Sequence, residues 1–547
     1  MSSSGRGADA LVRTLQAAGT GRIFTLSGNH VMPVFDATVG SGIELIHTRH
    51  EAAAVHMADA WSRITGEVGV ALVTGGPGHG NAVSALYTAR MAEAPIVLLS
   101  GHAPNGERGM GAFQEMAQAD MAAPVTKASW TCTGADAIAG DIARAFRIAR
   151  SGRPGPVHLS LPSDALEAAA LEAAALPASA FRAETKELDA NDVGRLLARL
   201  GDAERPLILV GPESLTRRGR AAADALEDAT GIPVIGMESP RGIADPSLGA
   251  FAERLAQSDC LLLVGKRLDF TLRFGRAPAI ATACRFLQVD ADGDELERSR
   301  RAVGERLEVA LVAEAPATLA ALARWSPPPG ARHERWRDDV RRSVAYRPAA
   351  WDDARSTQPG RLHPVAALRP LQALLDSHPD AVLVSDGGEI GQWAQACLTA
   401  PHRLINGVAG AIGSALPYAA GARCAVPGAP VIAVLGDGTC GFHIAEFDTA
   451  LRYRLPFVAV VGNDARWNAE YQIQLRDYGP DRLVGCELEP TRYDRVAAAF
   501  GAHGEHVDAT EEMLPAAQRA LDAGIAACIN VMIEGVPAPN VKTSTAG

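Results

Sequence analysis

Aromatic side chains make up only 5% of the 547 residues, so any large core must be built from Ala, Val, Ile and Leu, which carry most of the 47% hydrophobic share. No run of 18 or more apolar residues occurs, which argues against a membrane-spanning helix. The start, MSSSGRGADALVRTLQAAG, lacks the basic-then-apolar order of a secretory signal. Basic residues are in deficit, 52 against 63 acids for a net charge of −11, and that balance opposes a general nucleic-acid role. The one Arg-dense run, ARHERWRDDVRRSVAYR at 331–347, has acids among its bases and reads as a solvated helix. Eight cysteines lie far apart with no C-x-x-C pair, so no zinc or redox motif is expected, and a cytoplasmic location is.

What is abundant is short apolar runs ending at Gly, Asp or Ser: VGVALVTGG, PIVLLSG, PLILVG, CLLLVG, AVLVSDGG, PVIAVLGDG and PFVAVVGND. They alternate with Ala-rich helical stretches, the pattern of parallel strands covered on both faces. The fold class is therefore α/β, as three consecutive parallel-sheet domains. An Ala-rich stretch after Pro162 and a Pro/Arg-rich one from Ser326 to about Gly360 read as linkers, which places the domains at 1–170, 186–330 and 361–540.

Open parallel sheets bind ligands beyond the carboxyl ends of their strands, so the loops there are the places to search. His50, Glu51 and His56 do not make a zincin motif, because Ala54 stands where the second histidine belongs. GGPGHG lacks both the G-x-G-x-x-G order and the Lys-Ser/Thr ending of a P-loop, and fits a tight turn near a ligand. Gly436-Asp437-Gly438 puts a carboxylate at a strand end with open backbone around it, suited to a divalent cation holding phosphate. Alone it is equally an ordinary turn. A second strand ends at Asn463-Asp464, 27 residues after Asp437, and would bring further oxygen ligands beside it.

GDG followed by this strand end resembles the diphosphate-binding signature of thiamine-diphosphate (ThDP) enzymes. The resemblance spans nearly the whole chain: HEAAAVHMADAWSR, GVALVTGGPGHGNAV, GAFQEMAQADMAAPVTK, SGRPGPVHLSLP and IAEFDTALRYRLPFVAVV follow the acetolactate synthase-like branch in order. TRHEAAA, MAAPVTK and Gln118 look closest to benzaldehyde lyase and the 2-hydroxyacyl-CoA lyases. It implies a pyrimidine-binding first domain, a central domain and a diphosphate-binding last domain. It also implies ThDP and Mg²⁺ as cofactors and a cofactor held between subunits of a homodimer or homotetramer. Some relatives hold FAD or ADP in the middle domain; none is predicted here.

Carried over by similarity, Glu51 is the cofactor-activating glutamate, sharing a proton with the pyrimidine so that the thiazolium C2 loses its own. Pro77 and Asn81 line the pyrimidine end. Ile412 is the wedge that bends the cofactor, and the Gly410 carbonyl meets the pyrimidine amine. Gly391 lies near the reacting carbon, and Gly436, Gly438 and Thr439 near the diphosphate. The metal ligands are Asp437, Asp464 and the main-chain carbonyl of Arg466, with Asn463 as the alternative if the register shifts by one. His30 and Gln114 match substrate-pocket residues, with His30 handling a hydroxyl proton. A structural histidine is the plain alternative. Ser27, Asn29 and Ser163 depart from benzaldehyde lyase, and Trp393, Trp467 and Tyr471 are pocket walls or ordinary packing.

The expected function is a carbon–carbon lyase or carboligase that cleaves or forms 2-hydroxy ketones or 2-hydroxyacyl-CoA thioesters through a C2-carbanion (enamine) species. The alternative is an acetolactate synthase or another decarboxylating ThDP enzyme. The substrate is a small carbonyl compound; neither nucleic acid nor membrane is an expected partner.

Overall fold

The computed structural model describes residues 5–170, 176–325 and 331–543, with the side chains of residues 331 and 332 left aside. The N-terminal sheet comprises β1 (Arg22–Thr25), β2 (Glu44–His47), β3 (Gly69–Val73), β4 (Ile96–His102), β5 (Ala128–Thr131) and β6 (Val157–Pro162). The middle sheet comprises β7 (Pro206–Val210), β8 (Val234–Gly236), β9 (Cys260–Val264), β10 (Arg285–Asp290) and β11 (Leu307–Val312). The C-terminal sheet comprises β12 (Val382–Ser385), β13 (His402–Ile405), β14 (Val431–Gly436), β15 (Val458–Asn463), β16 (His503–Val507) and β17 (Ala527–Met532).

All three sheets are parallel. The central strands are buried on both faces, which is why they read as continuous apolar runs. The orders are β2-β1-β3-β4-β6-β5 and β13-β12-β14-β15-β17-β16. Counted within each domain, the first and last sheets thus share one strand order, a duplication that no stretch of sequence announces.

Those two domains also share one apolar core. Its centre is the contact between the helices Glu51–Thr65 and Ala415–Ala425. Both are Ala-rich, and a Cβ on Gly421 would come within 2.6 Å of the Met57 carbonyl oxygen, so small residues permit the approach. Tyr418 donates to the fully buried Asp59, whose pKa burial raises. Arg63 then ties Asp59 to Glu238 of the middle domain.

His56 is sealed in this contact, edge-on to Tyr418 and His443. Burial, helped by His443 and His50, lowers its pKa to about 3. An unfolded chain protonates this histidine near pH 6.5. Between those values the unfolded state binds more protons, so the contribution is fully present above pH 6.5 and is lost as pH falls. His56→Asn should flatten the pH dependence of stability by up to ~1.4 kcal/mol per pH unit. Urea midpoints at pH 4 to 7 check this, and equal slopes for parent and variant would contradict it.

The stretch read as a linker after residue 325 carries, in its described part, the helix Ala331–Ala345. Only one face of that helix is solvated. Trp336 and Val340 are buried in the middle-domain core, the Trp336 indole N–H donates to the Pro206 carbonyl, and Arg341 pairs with Glu227. A single tryptophan in a charge-rich run is too weak a periodic signal to reveal such docking. Of the Ala-rich stretch, residues 171–175 lie outside the described residues. All eight cysteines are free, and among the described residues no helix is long and apolar enough to cross a membrane.

Candidate functional site

The loops after β1, β2 and β3 converge at the carboxyl edge of the N-terminal sheet. Glu51 is the first residue of its helix, and His50 caps that helix, its Nδ1 accepting the Ala52 N–H at 3.1 Å. The Glu51 carboxylate is 9% exposed and accepts from Asn81 Nδ2 at 3.0 Å. Gly76, with φ of 56°, turns the chain into the helix Pro77–Met91. A Cβ on Gly78 would lie 2.7 Å from Thr74 and 3.3 Å from Glu51 Oε1, so a glycine is what lets this helix start meet the carboxylate.

His30 enters from the loop after β1. Its Nδ1 lies 3.4 Å from Thr74 Oγ1 and its ring stacks on Phe113 at 5.9 Å. Burial, with His102 nearby, lowers the His30 pKa, which keeps the ring neutral near pH 7. Gln114 adopts φ of 57°, and a Cβ on Gly76 would lie 2.8 Å from its carbonyl oxygen. The Gln118 amide locks the same turn, accepting from Gly76 N at 2.7 Å and donating to the Gly101 carbonyl at 3.0 Å. Glu51, Asn81, Pro77, His30 and Gln114 thus occupy one edge, with Thr74, a residue that sequence reasoning did not single out, between His30 and the helix start at Gly78.

The matching edge of the C-terminal sheet is a cleft lined by Ile412, Gly436, Asp437, Gly438, Thr439, Asp464, Arg466 and Trp467 among others. β14 and β15 are neighbours, with Gly436 paired to Gly462, so strand ends distant in sequence meet. Asp437 is 1% exposed and its Oδ2 is buried with no hydrogen-bond partner among the described residues. Burial raises its pKa to about 6. Burial and then the charge of Asp437 raise Asp464 to about 7. Two desolvated carboxylates side by side are unfavourable alone, and a hard divalent cation relieves both burial and repulsion. The residues therefore fit such an ion.

Asn463 does not face the cleft. Its amide donates to the Thr491 carbonyl at 2.8 Å and Asn530 Oδ1 at 3.0 Å, and its Oδ1 accepts from Ala465 N. Ala465, with φ of 58°, bends the chain between Asp464 and Arg466. The Arg466 guanidinium lies 4.1 Å over the Tyr471 ring. Trp467 covers Gly438, where a Cβ would lie 2.6 Å from its ring. Ile412 stands over Gly387, with 2.3 Å between a Cβ there and Ile412 Cγ2. Asp386 accepts the N–H groups of Gly413 and Ala415 at 2.9 Å each and so fixes the loop that carries Ile412.

Gly391, Gly410 and Trp393 are not among the residues that line the cleft. Gly391 packs against the Asp386 carbonyl, and Gly388, Glu389 and Ile390 line the cleft in its place. Gly410 is not among the lining residues and sits near Pro240 of the middle domain. Trp393 is core, donating to the Pro537 carbonyl and edge-on to Trp351. Glu389 and Glu470, which line the cleft, escaped notice; the signal for Glu389 was an acid in the Gly-rich DGGEIG, and Glu470 had none. Burial raises the pKa of Glu389, and Arg241 of the middle domain pairs with it at 3.3 Å. None of the residues lining the cleft belongs to the N-terminal domain.

Comparison with known proteins finds three family matches in order. These are the thiamine pyrophosphate enzyme N-terminal TPP binding domain over residues 5–121, the central domain over 193–322 and the C-terminal TPP binding domain over 386–531. The chain is similar to the acetolactate synthase large subunit of Mycobacterium tuberculosis, 32% identical over 96% of this chain and 95% of that protein. It is also similar to 2-hydroxyacyl-CoA lyase 2 of Danio rerio, 30% identical over 96% and 91%, and to that of Caenorhabditis elegans, 29% identical over 95% and 87%.

Proposed function

The chain belongs to the thiamine pyrophosphate enzymes, and from that premise we propose that it is a ThDP- and Mg²⁺-dependent carbon–carbon lyase or carboligase acting on 2-hydroxy ketones or 2-hydroxyacyl-CoA thioesters. ThDP, when bound, supplies the electron sink at the reacting carbon. Asp437 and Asp464, with the main chain of Arg466, would hold the cation beside the diphosphate. Ile412, at the cleft wall over Gly387, would pack against the bound cofactor. Glu51 holds a proton at the pyrimidine, steadied by Asn81.

The observation that carries the lyase reading is the place of His30 in the Glu51 cluster, within reach of Thr74 and with burial lowering its pKa. Cleaving a 2-hydroxy ketone requires removal of its hydroxyl proton, and a neutral imidazole is the base suited to that task. Loss of CO₂ from a 2-oxo acid needs no such base in its first step. The reading includes a homodimer, or a dimer of dimers, in which the Glu51 cluster of one copy completes the Asp437 cleft of another. The absence of N-terminal residues from the cleft lining supports this.

The second reading, a decarboxylating synthase, is supported by the similarity to the mycobacterial acetolactate synthase. Mass spectrometry of reactions with hydroxy ketones, 2-hydroxyacyl-CoAs and 2-oxo acids, each with ThDP and Mg²⁺, separates the two. Cleavage of a hydroxy ketone or hydroxyacyl thioester is expected, and His30→Ala should slow it by about 10²-fold or more. Acetolactate and CO₂ from pyruvate, without any cleavage activity, would establish the second reading instead.

A further inference from the structure

The C-terminal domain reaches back to the start of the Glu51 helix. Glu446, at the head of the helix Glu446–Arg452, is 1% exposed, and its two carboxylate oxygens accept the Arg49 N–H at 3.1 and 3.3 Å. Thr449 Oγ1 donates to the same carboxylate at 2.7 Å. Further along, Arg452 donates to the His47 carbonyl at 2.6 Å, and Asp448 lies 3.6 Å from the Arg49 guanidinium. The whole segment from the end of β2 to Glu51 is therefore gripped by one short helix of another domain. Just before that helix, His443 Nδ1 donates to the Gly413 carbonyl at 2.7 Å, next to Ile412, and its ring packs edge-on to His50.

We propose that Glu446 is a positioning residue for Glu51, holding the first turn of the Glu51 helix by its bond to the Arg49 amide. The inference rests on the reading of Glu51 given above. A carboxylate is costly to bury, and the compensation here comes from hydrogen bonds to a backbone amide of a different domain and to one hydroxyl. That is an anchor for a chain segment, and the segment it anchors ends on the residue that must hold a proton within hydrogen-bond reach of the cofactor. A displacement of about an ångström at such a group costs on the order of 100-fold in rate.

The test uses the full chain as Glu446→Ala and Glu446→Gln, since the amide oxygen of Gln still accepts from Arg49. In the cofactor-free protein, backbone hydrogen exchange at residues 49–55 should be faster in the Ala variant and near parental in the Gln variant. With ThDP and Mg²⁺ bound, exchange of the cofactor C2 proton with deuterium, read by NMR, and kcat should both fall about 100-fold in the Ala variant, with KM and ThDP affinity within about threefold. The Gln variant should stay within about tenfold of the parent in both.

Unchanged amide exchange in the Ala variant, equal damage in both variants, or a ThDP affinity that falls in step with kcat would overturn the proposal. If Glu51→Gln itself leaves C2 exchange intact, the reading of Glu51 fails. The amide-exchange comparison then still decides whether Glu446 anchors the segment.

Discussion

Glu51→Gln is expected to lower kcat at least about 10³-fold while leaving fold, Mg²⁺ uptake and ThDP affinity close to the parent's. The substitution keeps the size and the capacity to accept from Asn81, and removes only the ability to exchange a proton. The carboxylate is held on three sides: the His50-capped helix start, the Asn81 amide and the glycine at position 78. With so little room to move, a neutral amide cannot recruit a different partner. Circular dichroism, ThDP titration and turnover on the substrate found by screening check the outcome. Turnover within tenfold of the parent would remove Glu51 from the chemistry.

Asp437→Ala is expected to cost at least about 100-fold in ThDP affinity, with the fold retained. Burial holds the carboxyl groups of Asp437 and Asp464 well above the usual carboxylate range, with the charge of Asp437 adding to the shift of Asp464, and Asp437 Oδ2 lacks a hydrogen-bond partner among the described residues. Removing one carboxylate therefore takes away a costly buried charge and deprives the cation of a ligand. The parent should gain thermal stability on adding ThDP with Mg²⁺, because a ligand that binds only the folded state shifts unfolding by mass action. The variant should show no such gain at the same concentrations, and EDTA should abolish it in the parent. A full thermal shift in Asp437→Ala would place the cation elsewhere.

Much of this was legible before any coordinates. Short apolar runs ending in Gly or Asp mark parallel strands and their ligand-bearing ends, so the class of fold and the GDG cleft followed from local pattern. Glu51 was singled out only by the family resemblance, since by local pattern it is one more acid at a helix start. What stayed hidden depends on contacts between distant segments. Gly391 and Trp393 stand in a motif that faces the cleft on one side of its helix and the core on the other, and the motif does not say which side each takes. Whether Asn463 or Asp464 faces the cleft is set by Thr491 and Asn530, which no spacing rule predicts. Glu446 reads as an ordinary helix-start acid until its partner, a backbone amide nearly 400 residues earlier, is seen.

The apolar core that runs through the first and last domains has a consequence for association. It fixes the separation and orientation of the Glu51 edge and the Asp437 edge within a chain. On the dimeric reading, each chain then presents a matched pair of half-sites on a stiff spacer, and two chains meet at both places at once. The first junction sets a high effective concentration for the second. On that reading, cofactor binding and subunit pairing would become one cooperative event.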